Sequence, residues 1–219
     1  MTGRLQLKFW LVTLGVIHLA IVGAGFFAPY DPAEQDRENS YSPPMKIRLI
    51  DEHGRIHARP FFYATRPSER SFGRVEEGPD KMGQMYFFVS GPSYRLLGFI
   101  PARLHLFGAE GSRFHLLGTD GFGRDLFSRI LYGGQVSLLA GLLGAACTLL
   151  VGGLIGTTAG FYGGWRDVVF MRSAELFLAL PWLYLLFALR AFLPLTVRPL
   201  EAFLLVVMVL GTVGWARPA

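Results

Sequence analysis

The sequence predicts an all-α polytopic membrane protein of about four transmembrane helices, with a small, mostly β extracytoplasmic insertion between helices one and two. Three observations predict it. The 219 residues are 52% hydrophobic and 17% charged, with a mean hydropathy of +0.38, too apolar for an ordinary soluble domain. Apolar runs occupy 9–28, 136–160, 173–189 and 202–216. Between the first two runs charge returns in near balance, with 14 basic and 13 acidic residues over 31–133. The net charge of +5 is spread out, without a Lys/Arg block, which argues against nucleic acid as a partner. The single cysteine, Cys147, lies inside an apolar run and can form no internal disulfide. His53 and His57 stand four apart but flank Gly54 and lack an acid at metalloprotease spacing, so no metal site is read there.

Residues 9–28, FWLVTLGVIHLAIVGAGFFA, carry no Asp, Glu, Lys or Arg and are long enough to cross the hydrocarbon at about 1.5 Å per residue. Arg4 and Lys8 precede them, which places the N-terminus in the cytoplasm. The run exceeds the roughly 7–15 residues of a signal h-region, so an uncleaved helix over 1–29 is the reading preferred to a signal peptide. Residues 30–115 then read as an extracytoplasmic polar domain. KIRLIDEHGRIHARPFFYA (46–64) alternates on both sides of DEHG, a hairpin pattern, and MGQMYFFVSGPSYRLLGFI (82–100) has an aromatic, β-prone centre.

HLLGTDGFGRDLFSR (115–129) crowds glycines, aspartates and arginines ahead of the longest apolar run. A phosphate loop, a structural elbow and a transporter gate all compete for it. No Gly-Lys-Ser/Thr follows, and Gly118, Gly121 and Gly123 lack dinucleotide spacing, which argues against the first. Residues 116–135 read as an interfacial elbow and a short amphipathic helix. Leu126, Phe127, Ile130 and Leu131 would form its apolar face on the bilayer surface. Asp125 and Arg129, four apart, predict an exposed ion pair worth about 0.2–0.5 kcal/mol. No Ser-His-Asp set stands out.

The remainder, 136–219, reads as helices over about 136–160, 173–189 and 202–216. Gly144, Thr148, Gly152, Gly156 and Gly160 recur every fourth residue, a small-residue ridge for close helix packing. Arg166 and Arg172 put 161–172 inside, whereas Arg190 and Arg198 fall outside against the rule. Pro181 should kink the third span. Glu175 is the one acid in a span, open to a functional role or to pairing with Arg172.

Three motifs in this order carry a resemblance: Gly118 to Arg129, GTDGFGRDLFSR; Gly160 to Asp167, GFYGGWRD; and Ala179 to Pro181, ALP. With LGTVGWAR near the end and APYDP at 28–32, the chain resembles the C-type inner-membrane permease of dipeptide/oligopeptide ABC importers, a binding-protein-dependent transport family. The resemblance covers about 115–217 and the first helix.

What the resemblance implies is a multi-pass permease subunit in the bacterial cytoplasmic (inner) membrane, not an enzyme, holding no cofactor because ATP is used by partner subunits. The implied partners are a second homologous permease, two ATP-binding subunits, an extracytoplasmic solute-binding protein and the lipid bilayer. Its motif positions become a gate elbow (Gly118, Thr119, Asp120, Gly123, Arg124, Asp125, Ser128, Arg129). A cytoplasmic turn with helix three adds Gly163, Gly164, Asp167, Arg172, Glu175 and Pro181. It also implies six helices and an ATPase-docking Glu-Ala-Ala-x-x-x-Gly loop, so the chain reads as a C-terminally truncated form lacking the main coupling contact. The alternative is a membrane-anchored extracytoplasmic binding or sensor module.

Overall fold

The computed structural model describes residues 2–67, 75–110, 112–179 and 198–216, and positions 181, 184, 187, 188, 191 and 196. They fall into two units, 1–135 and 136–219.

In the first unit the apolar N-terminal run forms α1 (Thr2–Val22), followed by one turn of helix, α2 (Ala24–Phe27). A 3-10 turn (Arg37–Asn39) leads into a four-stranded antiparallel sheet, in order β1-β2-β3-β4. The strands are β1 (Arg48–Ile50), β2 (Ile56–Pro67), β3 (Val75–Leu96) and β4 (Ile100–Glu110). The β1–β2 hairpin turns where the alternation placed it. The Asp51 carboxylate accepts the N–H groups of His53 and Arg55, and Gly54 takes φ +76°, a left-handed position that suits glycine. β3 shifts register between Ser90 and Tyr94, around Gly91-Pro92, as expected where a proline cannot donate to the ladder.

The sheet overturns the all-α fold class. Alternation brackets the Asp51–Gly54 turn, and an antiparallel ladder pairs the backbone groups of β1 to β4. Among the described residues only two helices are long and apolar enough to cross a membrane, Gly3–Val22 and Leu126–Tyr162. α4 is described over Gly164–Ala179. α5 (Pro199–Gly214) has 16 residues, about 24 Å against a hydrocarbon core of about 30 Å. Most of the expected third span beyond Ala179 lies outside the described residues.

The short amphipathic helix and the second span are one element, α3 (Leu126–Tyr162), of 37 residues, about 55 Å long. Gly133-Gly134 does not break it. Gly134 meets Ile21 of α1, and Gln135 Nε2 donates to the Val22 carbonyl at 2.9 Å. The start of α3 is buried in protein. Phe127 packs against the core of Met45, Phe62, Met85, Phe107 and Phe114, and also against a cluster of Ala24 and Ala28, at the end of α2, with Leu131 of α3.

In the second unit α3 ends at a double-glycine turn. Gly163 and Gly164 take φ +58° and +60°, and the Gly163 N–H closes on the Ala159 carbonyl at 2.9 Å. Ala174, Trp215 and Ala216 form a buried cluster with Ile155 beside it.

Candidate functional site

The GTDGFGRDLFSR stretch folds into a laced elbow at the N-terminus of α3. Segment 36–45 lies along it through backbone bonds. The Asp36 N–H donates to the Gly123 carbonyl at 3.2 Å, Tyr41 to Asp120 at 3.1 Å, and Met45 to His115 at 3.0 Å. Thr119 N–H donates to the Ser42 carbonyl at 3.0 Å, and Ser42 N–H returns to Thr119 Oγ1 at 2.8 Å. The Thr119 hydroxyl donates to the Asn39 carbonyl. This lacing explains two glycines. Gly118 (φ +78°) and Gly123 (φ +73°) sit in the left-handed region, and a Cβ would strike the carbonyls of Ser42 and Asp36 respectively.

The two aspartates divide the work. Asp120 closes the turn: Oδ1 accepts the N–H groups of Phe122 (2.9 Å) and Arg124 (3.0 Å), and Oδ2 accepts Arg124 Nε at 2.8 Å. Desolvation works to raise its pKa, but those two N–H groups and the Arg124 guanidinium outweigh it and hold the carboxyl below its ordinary value. Asp125 caps α3. Its Oδ2 accepts the Ser128 N–H at 2.7 Å, satisfying an otherwise unpaired N-terminal donor. Its Oδ1 lies 3.0 Å from His115 Nδ1, with both side chains 2% exposed or less.

The expected Asp125–Arg129 pair is therefore not made. A capping carboxylate turns back toward the helix N-terminus, so it cannot reach one turn down the helix. Arg129 instead faces the Asp120 carboxylate at 3.7 Å and the Pro32 carbonyl at 3.4 Å. Nor does the predicted apolar face lie wholly on a bilayer: Phe127 and Leu131 are turned into protein, while Ile130 is exposed.

His115 is the residue that sequence reasoning missed. Nothing in local spacing links it to Asp125, ten positions on. Around it, Tyr30 stacks at 5.5 Å, and the Tyr30 hydroxyl accepts the Phe114 N–H at 2.8 Å. Burial pushes the Tyr30 hydroxyl up to about 12. Arg113 donates to Glu34 at 2.6 Å and lies over the Tyr30 ring. An open groove of about 640 Å³ adjoins, lined by Tyr30, Glu34, Arg113, Phe87, Phe88 and Pro92.

His115, Asp125 and Ser128 are the residue types of a hydrolase, but their geometry is that of a lock. Ser128 meets Asp125 through its backbone N–H, and its Oγ has no hydrogen-bond partner among the described residues. All three are buried. No group of three or more His, Cys, Asp or Glu able to hold a metal converges among the described residues.

The remaining motif positions belong to the second unit. Gly144 faces Leu210, and the Thr148 hydroxyl donates to the Leu210 carbonyl at 3.2 Å. A Cβ on Gly211 would lie 2.8 Å from that of Cys147, and one on Gly214 would lie 2.6 Å from Thr148 Oγ1. The ridge thus packs on α5 through Gly144 and Thr148. Gly152 is buried and Gly156 half-buried, while Gly160 faces open space. Asp167 stands in the first turn of α4, where a negative charge suits the helix dipole. Arg172 donates to Glu175 at 2.6 Å, an exposed pair. The Pro181 carbonyl accepts the Tyr184 N–H at 2.9 Å.

Two helices long and apolar enough to cross a membrane, with a motif-built elbow at the head of one of them, are the features of a membrane protein. No family model matches the chain; individual proteins do. It is 47% identical to the probable D,D-dipeptide transport system permease protein DdpC of Escherichia coli over 77 residues, 35% of this chain and 26% of that one. The glutathione transport system permease protein GsiD of Pectobacterium atrosepticum is 42% identical over 77 residues, again 35% and 26%. The oligopeptide transport system permease protein OppC of Bacillus subtilis is 34% identical over 106 residues, 48% of this chain and 34% of that one. The chain thus spans about a quarter to a third of the length of these relatives. By name these relatives are transport-system permease proteins for D,D-dipeptides, glutathione and oligopeptides, in agreement with the C-type resemblance carried by the three motifs.

Proposed function

We propose that this chain is a membrane permease subunit of an ATP-driven ABC importer, taking up peptides or similar small solutes. The supporting observation is the elbow. The GTDGFGRDLFSR stretch that carries the resemblance to peptide-importer permeases is built here as a laced, partly buried joint at the head of α3, a joint suited to passing motion from helix to outer domain. In this reading ATP is used by two partner ATP-binding subunits. A second homologous permease completes the pathway, and an extracytoplasmic binding protein delivers solute to the face carrying residues 30–115. The N-terminus lies in the cytoplasm of a bacterial cell, and 116–135 links the outer domain to the transmembrane part, 136–219.

Two linked measurements test this. Disrupting the gene should lower energy-dependent uptake of labelled di- and oligopeptides, with recovery on complementation. In intact cells, Ile56→Cys should react with a membrane-impermeant maleimide, and Trp165→Cys only after permeabilisation. Unchanged uptake across the solute panel, or equal labelling at both positions, contradicts the proposal.

A further inference from the structure

The β3–β4 hairpin ends in a cluster of exposed apolar side chains: Leu97 (54%), Phe99 (71%) and Ile100 (42%), flanked by exposed Arg95 and Arg103. Solvated hairpin tips favour small and polar residues, so such a cluster marks an interaction surface.

Two contacts within the first unit fix which way this tip points. His105 lies level with Ala28, its Nδ1 2.7 Å from the Ala28 carbonyl. Further toward the tip, the Tyr94 ring packs so closely on Gly25 that a Cβ there would collide with it. Moving from His105 to Tyr94 along the hairpin therefore matches moving from Ala28 to Gly25, back toward α1. Tyr94 faces Ala102, and Leu96 faces Ile100. At about 3.3 Å per strand residue, the tip continues roughly 10 Å past Gly25 in that direction. At about 1.5 Å per helical residue, that is about the level of His18 and Leu19, just beyond Ile21 and Val22, where α1 meets Gly134 and Gln135 of α3. The two helices able to cross a membrane thus come together beside the tip.

We infer that the β3–β4 tip is a membrane anchor: Leu97, Phe99 and Ile100 insert into the leaflet from which α1 emerges. Arg95 and Arg103 meet the phosphates of anionic lipid. The occupant is lipid because the patch is continuous with the lipid-facing end of a spanning helix, and because its apolar centre carries a basic rim. The inference rests on α1 crossing the membrane. It gives the sheet a role that the transport reading leaves unassigned: holding the outer domain at a fixed tilt over the elbow.

The test uses the full chain with Cys147→Ala, reconstituted in phosphatidylcholine/phosphatidylglycerol vesicles and spin-labelled at single cysteines. Phe99→Cys, with Ile100→Cys as a second tip position, is compared with Ile56→Cys at the β1–β2 turn and Val12→Cys in α1. Collision with oxygen relative to a water-soluble nickel chelate should be severalfold higher at the tip than at Ile56, approaching Val12. A lipid-like Val12 with water-like tip positions overturns the anchor and leaves the membrane reading intact. Water-like values at Val12 as well overturn both. Spin–spin broadening at the tip with protection from both reagents assigns the patch to a second copy of the chain, and also overturns the anchor.

Discussion

His115 and Asp125 meet at 3.0 Å in a fully buried pocket, ten residues apart in the chain. The same carboxylate caps α3 through the Ser128 N–H. One side chain thus ties the residues that follow the sheet to the first turn of the long helix.

Asp125→Ala removes both interactions. A lost N-cap costs about 0.5–2 kcal/mol, and an unpaired buried polar group adds about 1–3 kcal/mol. Asp125→Asn keeps the cap and should fall in between. Thermal unfolding in detergent should rank wild type above Asp125→Asn, and Asp125→Ala lowest. Equal melting of Asp125→Ala and wild type would mean that the cap carries no stability.

The elbow glycines should separate by backbone conformation. Gly123→Ala places a Cβ against the Asp36 carbonyl at positive φ, a strain of about 1–2 kcal/mol before the collision is added. Gly153→Ala meets open space inside α3. Expression and melting of Gly153→Ala should equal wild type, whereas Gly123→Ala should express poorly. The opposite order refutes the lacing of 36–45 onto 118–123.

The α3–α5 seam offers a chemical test. Gly211→Cys places a thiol beside native Cys147, within reach of a disulfide after a small helix adjustment. Mild oxidation should consume both thiols, counted by maleimide mass shift. Gly160→Cys, facing open space, should leave Cys147 free. Retention of both thiols in Gly211→Cys would place α5 elsewhere.

Tyr30 sets an alkaline limit. Its folded pKa is about 12 against an ordinary 10.0, so folding favours the protonated phenol. The associated stability is fully present below pH 10 and is lost as pH rises toward 12. Tyr30→Phe removes this component along with the acceptor for Phe114 N–H, so it should be less stable at pH 8 and flatter from pH 10 to 12. Parallel wild-type and Tyr30→Phe curves over that window would rule out the assignment.

What could be read from the sequence was what its local patterns encode. Alternation around Asp51–Gly54 placed a hairpin, the uncharged run placed α1, and the glycines of the 115–129 stretch marked a turn that only glycine can make. What could not be read depended on distant partners. His115 acquires meaning only when the fold brings it to Asp125. Residues 116–135 and 136–160 read as separate segments because the contact at their junction, Gly134 on Ile21, joins positions more than a hundred residues apart. The ridge at Gly144 and Thr148 was visible, but the other half of the seam, Gly211 and Gly214, needed α5 in place. Asp125 could have been recognised as a cap from its position before an apolar run. The apparent i, i+4 partner at Arg129 concealed it.

The most direct measurement of the buried lock is a double-mutant cycle on His115→Gln and Asp125→Asn, read as unfolding free energy of the full chain in detergent. The lock predicts a coupling of about 0.5–3 kcal/mol between the two sites. Additivity within about 0.3–0.5 kcal/mol would show that the residues act independently and that α3 is not held through this pair.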